Sequence, residues 1–330
     1  MSDRIITEKE NALRVYNRTQ APEWIPVSPD SHLIVIPSVV RERPVRGADG
    51  PDWFGCNWVW DSDCLGFAPD VRNPPLLDDI SRWREVVKFP NLDAIDWQTA
   101  AANDLKGVDR NEVLIRVIVE SGPFERTHHL LGFQEAFLAM SEEPEEYKAL
   151  IDAVAEYKVD LLNKICQYYK PDNLFPHDDL GSAQGPMMSI AMYRELLKPA
   201  HKKIVEAIRS HDVICTHHSC GKMEAFIDDL IDIGVQAINP VQPMNDFKEI
   251  ARKYSSALVF DVGGDTSANY QDASEEAIRQ DVMDVIDCFG PQNNLIVSCF
   301  PKNAKCLSNY DIVLDEARRY GFAFCQRPLI

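Results

Sequence analysis

The sequence predicts an α/β protein that folds as a (β/α)8 TIM barrel. From about residue 112 onward, apolar runs of strand length alternate at least five times with segments of helical periodicity. The apolar runs are continuous, which is typical of parallel strands buried on both faces. An open doubly wound sheet is the alternative for this pattern. The glycine motif G-x-G-x-x-G, which favours the open sheet, does not occur in the sequence.

The predicted elements follow one another along the second two thirds of the chain. Strands are expected at 113–119, 173–175, 213–216, 235–238, 257–262 and 295–297. Helices are expected at 133–140, 143–169, 191–210, 223–233, 246–253, 274–288 and 308–320. Asp272 or Ser274 is placed to cap the helix that begins near 274. Gly321 is predicted to end the last helix, in the position where glycine commonly does so.

The chain is expected to form one barrel domain over residues 1–330, with an irregular N-terminal extension over about residues 1–110. That extension is rich in proline and tryptophan. A barrel with insertions accommodates this length, because such barrels commonly run to about 250 residues or more. The first ten residues are polar and no run of about 18 apolar residues occurs, which predicts a cytoplasmic location without a membrane span.

Charge and cysteine content narrow the classes of function. The formal net charge is −18, from 52 acidic and 34 basic residues. Such a surface repels phosphate backbones and anionic lipids, so neither nucleic-acid binding nor membrane binding is expected. The nine cysteines are an odd number without a secretion signal, which indicates reduced thiols, a minority of them candidate metal ligands. The oligomeric state stays open, and a homodimer is compatible with the sequence.

Carboxylates follow two of the predicted strands. In a parallel barrel the loops after the strands meet at one mouth, where the chemistry takes place. Glu120 follows the strand at 113–119, and Asp178 and Asp179 follow the strand at 173–175. These three residues are the candidate catalytic residues, which would position a substrate or accept a proton. The alternative interpretation is that they cap helices or are solvated.

His218 and Cys220 give the sharpest local signal. Residues i and i+2 at a strand end point to the same side, so an imidazole and a thiolate there can bind one ion. Cys299 ends another predicted strand and would supply a third ligand. These ligands suit zinc, and three of them leave the open position of a catalytic site. The alternatives are His217 as the imidazole ligand, or a packed cysteine beside a hydrogen-bonded histidine.

Four further residues are candidates for substrate binding. Trp53 and Phe54 belong to an aromatic cluster with Trp58 and Trp60, which would form the wall of a pocket or part of the core. His177 and Gln242 are also candidates, because each follows a predicted strand.

Several of these motifs occur together in one known superfamily. They are Asp52-Trp53-Phe54-Gly55, Gly122-Pro123-Phe124-Glu125, His177-Asp178-Asp179-Leu180-Gly181, His218-Ser219-Cys220-Gly221-Lys222 and Asn239-Pro240-Val241-Gln242-Pro243. From about residue 50 to 322 the sequence resembles the uroporphyrinogen decarboxylase superfamily. The resemblance implies the TIM barrel of that superfamily.

The superfamily has two main activities, and the resemblance favours one of them. Uroporphyrinogen decarboxylases are metal-free lyases with an arginine signature of the type R-Q-A-G-R, which binds an acidic substrate. The early arginines here, Arg41, Arg43 and Arg46, stand in a different context, in a strongly acidic chain. The decarboxylase is therefore the less favoured alternative.

The other activity is zinc-dependent methyl transfer to or from a corrinoid (cobalamin) carried by a partner protein. The resemblance implies that His218, Cys220 and Cys299 bind the zinc. Several thiol-methylating members carry a glutamate near Gln242, so the sequence resembles more closely the O-demethylase type, which takes methyl from a methoxylated small molecule. A methylcobamide-dependent thiol or pterin methyltransferase is the alternative.

Overall fold

A computed structural model describes residues 6–63, 65–263, 272–299 and 306–327. In these residues the chain forms strands β1 to β10, which are His32–Val35, Gly50–Pro51, Asn57–Asp61, Gly66–Pro69, Leu114–Val119, Asn173–Pro176, Ile214–His218, Ala237–Asn239, Val259–Asp261 and Leu295–Ile296. Seven of them form one parallel sheet in the order β1-β5-β6-β7-β8-β9-β10. The strands of this sheet occur in the same order along the chain, with β2, β3 and β4 inserted between β1 and β5, so each crossover advances the sheet by one strand.

The two edges of this sheet are connected to each other. Val27, just before β1, forms a parallel bridge with Val297, just after β10. Ser28 donates from its backbone to the carbonyl of Val297 at 2.8 Å, and Val297 donates to the carbonyl of Pro26 at 2.8 Å. The sheet therefore curls into the predicted TIM barrel, and the fold class is confirmed.

Helices surround the barrel. Helices α1 to α13 are Glu8–Asn17, Ser28–Ser31, Trp83–Val86, Trp97–Asp104, Pro123–Leu131, Phe133–Glu142, Pro144–Tyr169, Ile190–Met192, Lys198–Ser210, Ile227–Asp232, Phe247–Tyr254, Glu275–Phe289 and Leu307–Cys325. A π-helical turn, Tyr193–Leu197, joins α8 to α9. Ser274 caps α12 by accepting from the backbone of Ala277 at 3.2 Å, which confirms one of the two predicted caps. None of the helices in these ranges is long and apolar enough to cross a bilayer.

The predicted strands after residue 110 are all present, with ends displaced by one or two residues. The prediction that residues 1–110 are irregular was wrong, because this segment contains the barrel strand β1, helices α1 to α4 and a small antiparallel sheet, β2-β3-β4. These strands are only two to five residues long, so their periodicity is weak. The organisation as a single domain stays a prediction.

Gly321 does not end the last helix. Helix α13 continues through it to Cys325. A Cβ at Gly321 would lie 2.9 Å from the Cβ of Ile25, so the glycine allows α13 to pack closely against the segment before β1. The eight described cysteines are free thiols, and Cys64 lies outside the described residues.

Candidate metal centre and adjoining cleft

Two loops at the carboxyl ends of β6 and β7 pack against each other. Gly221 has a φ of +82°, and a Cβ on it would lie 2.3 Å from the carbonyl of Gly181. A Cβ on Gly181 would lie 2.6 Å from the amide nitrogen of Lys222. The hydroxyl of Ser219 accepts from the amide of Leu180 at 2.8 Å and fixes the contact. Two glycines thus allow a close approach that other residues would prevent.

This approach brings together Asp179, His218 and Cys220. Their ligand atoms all lie within 4.8 Å of one another, and all three residues are partly exposed. Nε2 of His218 is 3.5 Å from Sγ of Cys220 and 3.7 Å from Oδ1 of Asp179. The same carboxylate oxygen accepts from the backbone amide of Cys220 at 2.7 Å. An imidazole nitrogen, a thiol and a carboxylate oxygen in this arrangement fit a zinc ion.

The hydrogen-bond network fixes the tautomer of His218. The Nδ2 of Asn239 donates to both the carbonyl and Oδ1 of Asp261, at 3.0 and 2.9 Å, which are acceptors. The Oδ1 of Asn239 therefore faces Nδ1 of His218 at 2.8 Å, so Nδ1 carries the proton. In the neutral imidazole, Nε2 then carries the lone pair on the side of Cys220 and Asp179, as a metal ligand requires.

His177 forms one wall of this centre. Its ring stacks on that of His218, with centroids 4.0 Å apart and planes inclined by 16°. Burial holds the pKa of His177 well below its ordinary value, and its Nε2 has no hydrogen-bond partner among the described residues. The structure thus places His177 beside the metal centre, and its predicted substrate-binding role stays a prediction.

Asp178 and Glu120, two of the predicted catalytic residues, lie outside the cluster. Asp178 accepts from the backbone amides of Phe124 and Glu125, at 3.0 and 2.8 Å, in the first turn of α5. It also contacts Nε2 of His201 at 2.7 Å. Both of its oxygens are therefore engaged by protein groups. Burial raises the pKa of Glu120 above its usual value.

Gln242, Trp53 and Phe54 were predicted to bind substrate. Gln242 is buried and accepts from the amide of Gly221 at 2.5 Å, so it supports the loop that carries Cys220. Trp53 and Phe54 pack edge-on against Tyr157, at 6.2 and 5.3 Å between ring centroids. These contacts resemble core packing more than the wall of an open pocket.

Cys299, the predicted third zinc ligand, is not brought into the cluster. Its side chain is buried. Burial raises the pKa of the Cys299 thiol to about 12. The residues that follow it directly lie outside the described part of the chain, and its ligand role stays a prediction.

A cleft of about 1100 Å³ adjoins the metal centre. It lies between the β2-β3-β4 sheet and α5, and Asp179 is one of its lining residues. Trp58, one of the aromatic residues predicted to form a pocket wall or part of the core, lines it too, together with Arg43 and Glu125, which were not predicted as site residues. Burial, followed by the negative charge of Asp179, raises the pKa of Glu125 to about 8, while Arg43 opposes the shift. The only sequence signal for Glu125 was its place in the Gly-Pro-Phe-Glu motif after β5.

A parallel barrel with a nitrogen, sulfur and oxygen cluster at its C-terminal mouth defines a TIM-barrel protein with a candidate metal centre. The sequence profile described as uroporphyrinogen decarboxylase (URO-D) matches residues 52–299. The chain therefore belongs to the URO-D family, as the sequence motifs predicted. The match includes the loops that carry Asp179, His218 and Cys220.

Two methyltransferases are similar to this chain. The methylated-thiol–coenzyme M methyltransferase of Methanosarcina mazei is 24% identical over 189 residues, which cover 56% of this chain and 48% of that protein. The chain thus matches about half the length of this curated relative. A solved methyltransferase from Methanosarcina mazei superposes with a TM-score of 0.71 at 14% identity, covering 96% of this chain and 99% of that one. The superposition supports the fold.

Proposed function

We propose that this protein is a zinc-dependent methyltransferase that takes a methyl group from a methoxylated small molecule and transfers it to the corrinoid of a partner protein. The observation that carries the proposal is the convergence of Asp179, His218 and Cys220 beside an open cleft. The URO-D family match and the similarity to a methylated-thiol methyltransferase support methyl transfer as the reaction class.

The protein groups at the centre fit zinc. His218 offers its Nε2, Cys220 a thiol and Asp179 a carboxylate oxygen, and the three are partly exposed to solvent. Cys299 is the proposed further ligand, from the end of the barrel sheet. When bound, zinc supplies a Lewis acid for the oxygen or sulfur that carries the methyl group, and the corrinoid supplies the methyl acceptor.

The chain's own residues position the substrate and handle its charge. Asn239 holds the imidazole of His218 in one orientation, and the amide of Cys220 holds Asp179. Oε2 of Glu125 is buried and has no hydrogen-bond partner among the described residues. Glu125 is thus placed to donate a hydrogen bond, or its proton, to a leaving oxygen. Glu120, at the carboxyl end of β5, stays a candidate for a similar task.

Metal analysis tests the first part of the proposal. Purified protein loaded with zinc and then desalted should retain about one equivalent. His218→Ala and Cys220→Ala should lose it, whereas Cys215→Ala should keep it. Cys215 is the matched control because it is a buried thiol of the same strand, β7, that lies outside the cluster. Full zinc retention in both cluster variants would contradict the metal site. Loss of zinc in Cys299→Ala would establish the additional ligand.

A methyl-transfer assay tests the second part of the proposal, the reaction itself. The zinc-loaded protein is incubated with a reduced corrinoid protein and an aryl methyl ether. The corresponding ethyl ether, which has no O-methyl group, is the control substrate. Formation of methylcorrinoid and free phenol from the methyl ether is the expected result. Cys220→Ala should abolish it. Metal-free protein that decarboxylates uroporphyrinogen would instead support the less favoured lyase.

A thiol methyltransferase is the second candidate. The observation in its favour is the similarity to the methylated-thiol–coenzyme M methyltransferase, over about half of that protein. A zinc ion held by the same residues would bind the substrate thiolate and lower the pKa of the thiol. A methylated thiol in place of the aryl ether, in the same corrinoid assay, separates the two: faster methylation of corrinoid from the thioether would favour this candidate.

A further inference from the structure

Asp178 connects helix α5 to the loop that carries a proposed metal ligand. Its carboxylate accepts from the amides of Phe124 and Glu125, at 3.0 and 2.8 Å, and takes the place of the side-chain cap that Gly122 cannot supply. A Cβ on Gly122 would lie 2.4 Å from Cγ of Asp178, so this close contact depends on the glycine. Asp179, the next residue, belongs to the metal centre. The position of Glu125 relative to that centre therefore depends on the side chain of Asp178.

His201 also binds the carboxylate of Asp178. Its Nε2 lies 2.7 Å from Oδ2 of Asp178, and its Nδ1 lies 3.1 Å from the hydroxyl oxygen of Tyr193. The carboxylate is an acceptor, so Nε2 donates to it, and in the neutral imidazole Nδ1 accepts from the hydroxyl. Burial raises the pKa of Tyr193 above its usual value, so the hydroxyl keeps its proton. The three buried side chains thus form a hydrogen-bond chain of fixed direction.

A π-helical turn brings Tyr193 and His201 onto one face of their helix. They are eight residues apart, which in a regular α-helix would leave their directions about 80° apart. The turn Tyr193–Leu197 contains one extra residue, which reduces this difference to about 20°. Pro199 in the first turn of α9 accounts for the wider turn, because proline has no amide hydrogen to donate to the preceding turn. Lys198 donates to the carbonyl of Tyr193, five residues back.

We propose that His201 is a positioning residue for methyl transfer, which acts through Asp178 on Glu125. Tyr193 fixes the orientation of His201. The inference rests on the proposed function and adds two residues to it. Glu125 lines the cleft together with Asp179, and its Oε2 has no hydrogen-bond partner among the described residues.

The role of the positioned group is to supply one proton. The methyl group passes to the reduced corrinoid, which supplies the electron pair of the new bond. The ether oxygen keeps the electron pair of the broken bond and takes the proton of Glu125, which is left as a carboxylate. A small displacement of the first turn of α5 would move this proton away from the oxygen, because proton transfer requires hydrogen-bond distance.

Amide hydrogen exchange tests the positioning without turnover. It is measured on the full-length protein with neither corrinoid nor substrate present. His201→Phe should speed exchange of the Phe124 and Glu125 amides by about tenfold, because hydrogen bonds to charged groups are the strong ones. Tyr193→Phe, which removes only a hydroxyl, should give a smaller increase at the same two amides. His201→Gln keeps a donor for Asp178 and should restore most of the protection.

Tyr147→Phe is the matched control. Tyr147 is a fully buried tyrosine whose hydroxyl bonds to Thr127, in the same helix α5, at 3.1 Å. Its loss should leave exchange at the Phe124 and Glu125 amides unchanged. Unchanged exchange at both amides in His201→Phe and Tyr193→Phe would overturn the inference. So would an equal increase in Tyr147→Phe, because it would assign the effect to a general loosening of α5.

The choice of leaving group tests the consequence for the reaction. Two aryl methyl ethers are compared that differ only in a nitro group para to the ether oxygen. The nitrophenoxide leaves readily without a proton, whereas the unsubstituted phenoxide needs one. His201→Phe and Glu125→Gln should therefore lower kcat at least about tenfold for the unsubstituted ether and less than about twofold for the nitro ether. The double variant should lose no more than Glu125→Gln alone. An equal loss for both ethers would show a merely structural role and reject the proposal.

Failure of this inference is distinguishable from failure of the proposed function. Amide exchange reports on the position of α5 and needs no reaction, whereas zinc retention and corrinoid methylation report on the metal centre and its activity. Normal protection in His201→Phe, together with methyl transfer by the wild type, would keep the function and reject the positioning role.

Discussion

Replacing Asn239 by alanine should weaken zinc binding without removing any ligand. The side chain accepts from Nδ1 of His218 at 2.8 Å and donates twice to Asp261. Without it, the imidazole loses the acceptor that holds a proton on Nδ1. Loss of such a supporting partner typically costs about 10- to 100-fold in metal affinity, or about 1.4–2.7 kcal/mol.

The assay is a competition titration against a chromophoric zinc chelator at pH 7.5, with chemical denaturation as a second readout. Asn294→Ala is the matched control. Asn294 is also buried and donates twice, to the carbonyls of Ser255 and Leu258 at 3.0 and 2.9 Å, at a distance in sequence from the cluster. Both variants should lose about 1–3 kcal/mol of stability, because each leaves buried acceptors unsatisfied.

The two variants should differ only in zinc affinity. Asn294→Ala should bind zinc as the wild type does, and Asn239→Ala should bind it more weakly. Equal affinity of Asn239→Ala and wild type would refute the tautomer argument. An equal loss in both variants would show that general destabilisation, and not the orientation of His218, sets the affinity.

Three further predictions concern the loops and the barrel interior. Gly221→Ala, with a φ of +82° and a Cβ clash at 2.3 Å, should cost about 1–3 kcal/mol in denaturant titration and reduce zinc retention at Cys220. Asp178→Ala should cost about 1–2 kcal/mol, because it removes the acceptor for the first turn of α5, and a melting temperature equal to wild type would contradict this. Burial, followed by the charge of Arg116, holds the pKa of His32 well below 6.5. Below pH 6.5 the unfolded chain binds more protons at His32 than the folded chain does. The free energy of unfolding should therefore fall by about 1.4 kcal/mol for each pH unit of acidification. His32→Gln should show a smaller fall when the pH is lowered from 7.5 to 5.5.

The barrel could be predicted from the sequence where its signal is local. The strands β5 to β10 consist almost entirely of buried residues, and their order follows the chain, so pattern and connectivity agree. The strand β1 was missed because it has four residues and lies in a segment with weak periodicity. The glycine at 321 was misjudged because its reason is a tertiary contact with Ile25, which no local pattern encodes.

The candidate site, like the barrel, could be predicted from the sequence only where the signal is local. His218 and Cys220 could be selected because both lie at one strand end, two residues apart. Asp179 was selected as a catalytic carboxylate, and its position beside them depends on the contact between Gly181 and Gly221. Such contacts between loops are set by packing, which the spacing of residues does not reveal.

The cleft was the least predictable part. Arg43 and Trp58 belong to the N-terminal segment, and Glu125 lies in the first turn of α5. The three residues meet only because the β2-β3-β4 sheet lies beside that helix. The aromatic cluster was recognised in the sequence, but Trp53 and Phe54 pack on Tyr157, whereas Trp58 lines the cleft. Which members of such a cluster face a cavity depends on the tertiary arrangement.

An ion pair and a chain of hydrogen bonds connect the barrel interior to the barrel mouth. Arg116 and Asp261 form a fully buried ion pair at 2.6 Å, and Asp261 holds the amide of Asn239, which orients His218. Buried ion pairs add little net stability, because desolvation offsets their attraction, yet removing one partner is costly. The ion pair is therefore best explained by its role in positioning Asn239 and, through it, His218. The orientation of His218 is set by the rigid barrel, whereas Cys220 lies in a loop supported by side chains such as Gln242.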